Sequence, residues 1–249
     1  MGVSRAQLLA IEEAAVRSWP ALQRAPIDGW LWRCTSGGSV RANTVAALAY
    51  SGADVEASID EVERLYRTAG APPRFTVCDV GAPSDLDRRL AARGYRRGDD
   101  HVTMVKSASA CAAPPDVIAL GAAPSAEWMA IYVSGLTDDR REIAPRILAG
   151  LPAHRMYFAC VRQGRAVTSG LSIADGRFAS VQCMATVQGG QRQGGARAVL
   201  IAIESWAAAQ GCTTLYLQTG ADNAAAQALY RACGFVLAGR YHTRVLCAD

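Results

Sequence analysis

Lysine is almost absent from this 249-residue chain: Lys106 is the only one, and every other basic residue is arginine. Schiff-base and pyridoxal phosphate chemistry needs a lysine amine. It would have to use Lys106, which lies beside a Ser/Ala-rich stretch, a poor setting for a buried electrophile. The Gly-Lys-Ser/Thr ending of the Walker phosphate loop is missing, which argues against P-loop nucleotide chemistry. Histidine is nearly as scarce: His101, His154 and His242 are too dispersed for a metal-ligand cluster by spacing, so no metal is expected. The eight cysteines form no C-x-x-C pair and stand singly in apolar segments, where cysteine behaves as a small hydrophobe. Reduced thiols and a cytoplasmic location are expected. No apolar run is long enough to span a bilayer. The N-terminus, with Glu12 and Glu13, lacks a basic-then-apolar leader pattern. A net charge of +4 is mild, and the arginines are scattered, which speaks against a nucleic-acid partner.

The composition is 51% hydrophobic and 19% charged, ordinary for a globular protein that buries a substantial core. Ser107 to Pro115 (SASACAAPP) is small, uncharged and ends in two prolines, which marks it as a linker. The stretches on either side resemble each other at an offset of 140. Arg93-Gly94-Tyr95 falls on Cys233-Gly234-Phe235, Phe75-Thr76-Val77 on Leu215-Tyr216-Leu217, and the helical pattern 59–68 on 199–208. Such self-similarity predicts a tandem repeat, with residues 1–106 as one copy, 107–115 as linker and 116–249 as the other.

In the second copy, strands are predicted over 116–119, 156–162 and 167–173. Asp175-Gly176 is a hairpin turn leading into a strand over 177–186. Helices are predicted over 127–134, 140–148 and 195–210. A strand follows at 215–219, and Asp222 or Asn223 caps another helix that ends at Gly234. Residues 235–238 and 241–246 then close the sheet. The segment MATVQGGQRQGGARAVL from Met184 runs from strand end through glycines into an amphipathic helix. Such a junction aims backbone N–H groups and a helix dipole at one spot and suits an anion. Arg192 and Arg197 add positive charge. The dinucleotide pattern G-x-G-x-x-G does not fit, because Gln191 stands where the second glycine is needed.

What does fit is Q-x-x-G-x-A across Gln191, Arg192, Gln193, Gly194, Gly195 and Ala196. This resembles the pyrophosphate motif R/Q-x-x-G-x-G/A of the GNAT superfamily of N-acetyltransferases. Asn223, Leu229-Tyr230 and Gly234-Phe235 resemble the N…LY…GF segment of the same family, and the resemblance covers roughly Asp116 to Asp249. It implies an α+β (α/β GNAT) fold: a mixed, splayed β-sheet flanked by helices, here in tandem as two GNAT-like domains. It also implies acetyl-CoA as acetyl donor. The loop amides and Arg197 would take the pyrophosphate, Met184, Ala185 and Thr186 the pantetheine arm, and Asn223 a further contact. Tyr230 would be the acid that protonates the departing thiolate, a role its phenol suits chemically.

A base to deprotonate the amine is not assigned; Gln182 and Cys183 stand at strand positions that cannot serve simply. Glu142, His242 and the C-terminal carboxylate of Asp249 are the remote options. Asp138, Asp139 and Glu142 near Trp128 and Tyr132 could form an acidic, aromatic acceptor rim, but the interleaved Arg140, Arg141 and Arg146 fit a solvated mixed-charge face equally well. The first copy has no Q/R-x-x-G-x-G/A motif and carries Leu90 where the second has Tyr230. It resembles a degenerate GNAT-like domain that helps shape the acceptor cleft, with Asp28 to Trp32 and Arg41 to Asn43 either facing that cleft or forming ordinary turn and core. The acceptor is expected to be a small-molecule or peptide amine, and the chain a monomer or homodimer. The alternative is a non-catalytic acyl-CoA-binding or sensing protein.

Overall fold

The computed structural model describes residues 3–35 and 37–247. The first copy comprises α1 (Arg5–Arg17), β1 (Gln23–Ile27), β2 (Trp30–Cys34), β3 (Val45–Ala46), α2 (Val55–Thr68), β4 (Arg74–Cys78), α3 (Leu86–Ala92) and β5 (Arg96–Ser107). The second comprises β6 (Val117–Gly121), α4 (Ala126–Ser134), α5 (Asp138–Ala149), β7 (Arg155–Arg162), β8 (Arg165–Asp175), β9 (Phe178–Ser180) and β10 (Gln182–Thr186). It continues through α6 (Gly195–Ala209), β11 (Thr214–Gly220), α7 (Ala224–Ala232) and β12 (Val236–Val245). The offset of 140 carries α2 onto α6, β4 onto β11, α3 onto α7 and β5 onto β12, so the repeat seen in the residues is a repeat of structure.

All twelve strands join one mixed sheet in the order β1-β2-β3-β4-β12-β5-β11-β9-β8-β7-β6, with β10 also on β8. The two copies exchange their last strands. β12 lies between β4 and β5, and β5 lies between β12 and β11. The central pairs Val236↔Val105 and Val245↔Arg96 are images of one another under the same offset, which gives the molecule a pseudo-twofold at this seam. The closing strand expected in two pieces is therefore a single strand with irregularities at Leu237/Gly239 and His242/Arg244, and it sits mid-sheet rather than at an edge. Segment 177–186, expected as one strand, divides at Val181 into β9 and β10. Cys183 adopts a positive φ of 52° at a bulge in the pairing with β8, and such a bulge bends a strand and interrupts its ladder.

The helices bury apolar residues on both faces. On β11, alternate side chains point to opposite faces. Leu215 and Leu217 join Val199, Ile203, Met104, Tyr230 and Phe235 beneath α6 and α7. Tyr216 joins Ile11, Ala14 and Ala15 of α1 with Val105 and Phe178. The opposite edges are filled by Trp128, Ile147, Tyr157 and Leu171 and by Trp30, Ile59, Tyr66, Phe75 and Leu90. Helix α1 starts in a capping box: the Gln7 amide donates to Ser4 Oγ at 3.2 Å and the Ser4 amide to Gln7 Oε1 at 3.0 Å, which satisfies two donors that a helix start leaves open. Among the described residues no helix is long and apolar enough to cross a membrane.

Candidate functional site

Strands β9 and β11 run parallel, in register from Thr214↔Phe178 to Tyr216↔Ser180. The last link is the Val181 amide donating to the Tyr216 carbonyl at 2.8 Å. Beyond it β10 pairs only with β8 and β11 only with β5, so the sheet opens between β10 and β11. The Val187 amide donates to Val167 at 3.0 Å. By antiparallel alternation, the backbone groups of Thr186 are turned away from β8 and into the opening, and the bulge before Ala185 leaves Met184 outside the ladder. Unpaired groups of this kind call for a polar partner, and a ligand amide lying along the strand supplies one.

At the end of β10 the loop reaches the N-terminus of α6 through Gly194, which caps the helix in the left-handed conformation (φ 81°) with no side-chain hydrogen bond to the first turn. The first intrahelical bond is from the Ala198 amide to Gly194 at 2.9 Å, which leaves the amides of Gly195, Ala196 and Arg197 free for a ligand. Gln191, Arg192, Gln193 and Arg197 are exposed around them, with Gln193 Nε2 donating to the Gly189 carbonyl at 2.9 Å. Gly195 is buried against β8, where a Cβ would meet Thr168 Oγ1 at 2.6 Å. The first copy shows what removes this capacity. At the position of Gly194 stands Asp54, whose carboxylate accepts from the amides of Glu56 and Ala57 at 2.9 and 3.3 Å. Glu56 adds a second acid to that first turn. The start of α2 is thus satisfied from within, whereas that of α6 has no side-chain cap.

Tyr230 lies on α7, 8% exposed and edge-on to Phe235 at 5.9 Å. Burial pushes its phenol up to about 12, and no hydrogen bond to its hydroxyl forms among the described residues, so its proton is retained at neutral pH and free to be given. Asn223 caps α7, its Oδ1 accepting from the Ala226 amide at 3.1 Å. Cys183 is a poor nucleophile, because burial pushes its thiol up to about 12. His242 is held by Asp87 at 2.7 Å, within a cluster that joins α3 to β12, and Asp249 lies outside the described residues. Trp128 and Tyr132 are buried in the core, while Asp138 pairs with Arg141 on the surface at 3.1 Å; α5 thus presents the mixed-charge face. Trp30 and Trp32 are core residues. Asn43 braces its loop, with Nδ2 donating to Gly37 and Ser39 at 2.9 Å.

Sequence reasoning missed a small cavity between the two copies, about 40 Å³ in volume behind an open mouth. Among its lining residues are Glu12, Arg33, Arg41, Gln218 and Tyr241. Glu12 accepts from Thr103 Oγ1 at 2.5 Å and from Gln218 Nε2 at 2.8 Å. Burial raises its carboxyl above the ordinary range, against the lowering effect of these bonds and of Arg41. The signal was present in α1: Glu12 stands on the same face as Leu8, Ile11 and Ala15, where an acid is out of place.

A splayed sheet, an open-edged β10 and an uncapped glycine-led helix define the class: a GNAT-fold acetyltransferase. A family model, that of the C-terminal part of the probable histone acetyltransferase Rv0428c, matches residues 5–244. The chain belongs to this family. It is 28% identical over 254 residues to the Mycobacterium tuberculosis protein of that name, covering 99% of this chain and 76% of that one. It is 25% identical over 245 residues to the uncharacterized N-acetyltransferase YobR of Bacillus subtilis, covering 94% and 97%. Among solved structures, a GCN5-related N-acetyltransferase from Kribbella flavida superposes with a TM-score of 0.69 at 15% identity, covering 100% of this chain and 97% of that one. A tandem GNAT protein from the clavulanic acid biosynthesis pathway does so at 0.59 and 14% identity, covering 83% and 76%.

Proposed function

We propose that the protein transfers the acetyl group of acetyl-CoA to a primary amine by direct attack within a ternary complex. The observation that carries this reading is the free set of amides at Gly195, Ala196 and Arg197 beside the unpaired edge of β10. A diphosphate on the first and an amide-bearing arm along the second place a thioester in the opening between β10 and β11. Arg192 and Arg197 supply charge to the phosphates, and Met184, Ala185 and Thr186 line the arm. An amide of β10 polarises the thioester carbonyl, and the Tyr230 hydroxyl gives its proton to the departing sulfur. Asn223 fixes the start of the helix that carries Tyr230.

In this reading residues 1–106 are a degenerate copy, 107–115 connect, and 116–249 carry the donor site; β5 of the first copy completes the working sheet. A cytoplasmic location, action as a monomer or homodimer without nucleic acid or membrane, and reaction without metal belong to the same proposal. The test is calorimetric titration with acetyl-CoA followed by thiol release on a panel of amines. Because the M. tuberculosis relative is named a probable histone acetyltransferase, the panel includes peptide lysine. Binding with turnover on at least one amine supports the proposal. Tight binding with no turnover on any amine points instead to an acyl-CoA sensor.

A further inference from the structure

Arg33 is a buried cation. It is 6% exposed, and its Nε donates to the Thr44 carbonyl at 3.1 Å. Among the described residues no carboxylate lies within ion-pair distance of Arg33 or of Arg41, its neighbour in the cavity wall. Arg41 lies over the Trp19 ring at 5.1 Å. Buried charges are normally paired, because an isolated one is costly to desolvate. Two guanidinium groups converging on one cavity therefore call for an anion. Burial, reinforced by Arg41, lowers Arg33 to about 10, which still leaves it charged at neutral pH.

The same cavity holds a buried carboxylate, and both charges are tied to the lips of the open sheet. On the β11 side Gln218 holds Glu12 at 2.8 Å. On the β10 side Gln182 Oε1 accepts from Arg41 Nη1 at 3.4 Å. Continuing the β9–β11 register from Tyr216↔Ser180 sets Gln218 level with Gln182 across the opening. The cavity lies on the α1 face of β11, opposite the face that packs on Tyr230, so an acceptor there meets the thioester from the side away from the acid. The rest of the wall is small and apolar, with Ala15, Val16, Ala46, Ala47 and Leu48.

We propose that this cavity is the acceptor site and takes a small zwitterion, an α-amino acid, whose carboxylate is held by Arg33 and Arg41 and whose amine faces Glu12. The proposal rests on the acetyltransferase reading above. The ammonium gives one proton to Glu12. The nitrogen bonds to the acetyl carbonyl carbon and the carbon–sulfur bond breaks with its electron pair on sulfur. Sulfur takes a proton from Tyr230, which regains one from water, and the second proton lost by nitrogen passes to water. The net change is ammonium and thioester to amide, thiol and one proton, which Glu12 releases to water. The first copy thus supplies the acceptor site of the second, with Glu12 from α1, Arg33 from β2 and Arg41 from the following turn.

The test sets each of the common amino acids against its decarboxylated amine, for example valine against isobutylamine. The amino acid titrations are run by calorimetry without acetyl-CoA, with 3-methylbutanoate as competitor. The expected result is at least one amino acid that binds alone, is displaced by the matching carboxylate, and exceeds its decarboxylated amine in kcat/KM by about a hundredfold. Arg41→Gln, at the partly exposed rim, should shrink that ratio tenfold or more, and Arg33→Met should do the same if its thermal melt shows it folded. Amines that match their parent amino acids throughout, or a ratio untouched by Arg41→Gln, would overturn the proposal while leaving acetyl transfer standing. If acetyl-CoA does not bind, the acetyltransferase reading falls, and the calorimetric titrations still decide whether the cavity holds a zwitterion.

Discussion

Gln218 of β11 donates to Glu12 of α1 at 2.8 Å across 206 positions of sequence. Thr103 of β5 completes the triangle at 2.5 Å. Three elements meet there: the helix that opens the chain, the strand donated by the first copy, and the strand where the second copy's sheet opens. Hydrogen bonds of this kind oppose the upward push of burial on the carboxyl, and they place it beside the opening of the sheet.

Glu12→Gln keeps the size of the side chain and removes its charge. The wild-type acidic limb of kcat/KM should lie above the ordinary carboxylate range, because burial raises Glu12 against the opposing influence of Thr103, Arg41 and Gln218 and with a small contribution from Asp79. The variant should lose that limb and most of its activity. A pH–rate profile that keeps its acidic limb would remove Glu12 from the reaction.

Tyr230→Phe should lower kcat by roughly ten- to a thousandfold and leave acetyl-CoA affinity nearly unchanged, the usual range for loss of a general acid. The hydroxyl has no protein partner among the described residues, so the melting temperature should stay close to wild type. Unchanged turnover would show that sulfur takes its proton from elsewhere.

Gly195→Ala introduces a methyl that would meet Thr168 Oγ1 at 2.6 Å and Cys160 Sγ at 3.6 Å. The start of α6 must then lift from β8. Overpacking of this kind costs about 1–3 kcal/mol and should show in urea unfolding, together with weakened acetyl-CoA binding. The matching change at an open glycine with ordinary backbone, Gly135→Ala (φ −94°), should leave binding intact, since nothing lies within 4 Å of its added carbon.

The exchanged strand β12 is anchored by Asp87 of α3, which accepts from Arg244 Nε and Nη2 at 2.8 and 3.0 Å. These bonds, followed by that of His242, hold the Asp87 carboxyl down to about 2. A carboxyl depressed in the folded state stabilises at pH above its unfolded value, near 4, and that contribution fades as pH falls toward about 2. Asp87→Asn should cost about 1 kcal/mol at neutral pH, since the pair is partly exposed. Its difference from wild type should vanish in acid. A constant difference across that range would mean the stabilisation is not ionic.

Much of the fold is legible in the residues, because hydrophobic spacing, glycines and caps act locally. The strand–loop–helix at 184–197, the cap at Asn223 and the 140-residue repeat all follow from short-range pattern. The strand exchange does not. β5 and β12 occupy the same place in the repeat and carry similar alternation, so either could lie beside β4 or β11 without violating any local rule. Their order is settled by long-range contacts such as Asp87–Arg244, 157 positions apart. The partners of Glu12 were hidden for the same reason: its place on the apolar face of α1 is visible in the sequence, but Thr103 and Gln218 come from β5 and β11. The division at Val181 follows from a change of partner: the Val181 amide makes the last bond to β11, while β10 pairs with β8, with a positive φ at Cys183 that side chains other than glycine seldom adopt.

The most direct test of the donor site is the stoichiometry of acetyl-CoA binding by calorimetry, wild type against Gly194→Val. Gly194 sits at φ 81° with open space around it, so valine there strains the cap without clashing and disturbs the amides that would take the phosphates. One acetyl-CoA per chain in the wild type, with binding lost in the variant, is the expected result. Two per chain, or one that survives in the variant, would place the donor elsewhere than at the start of α6.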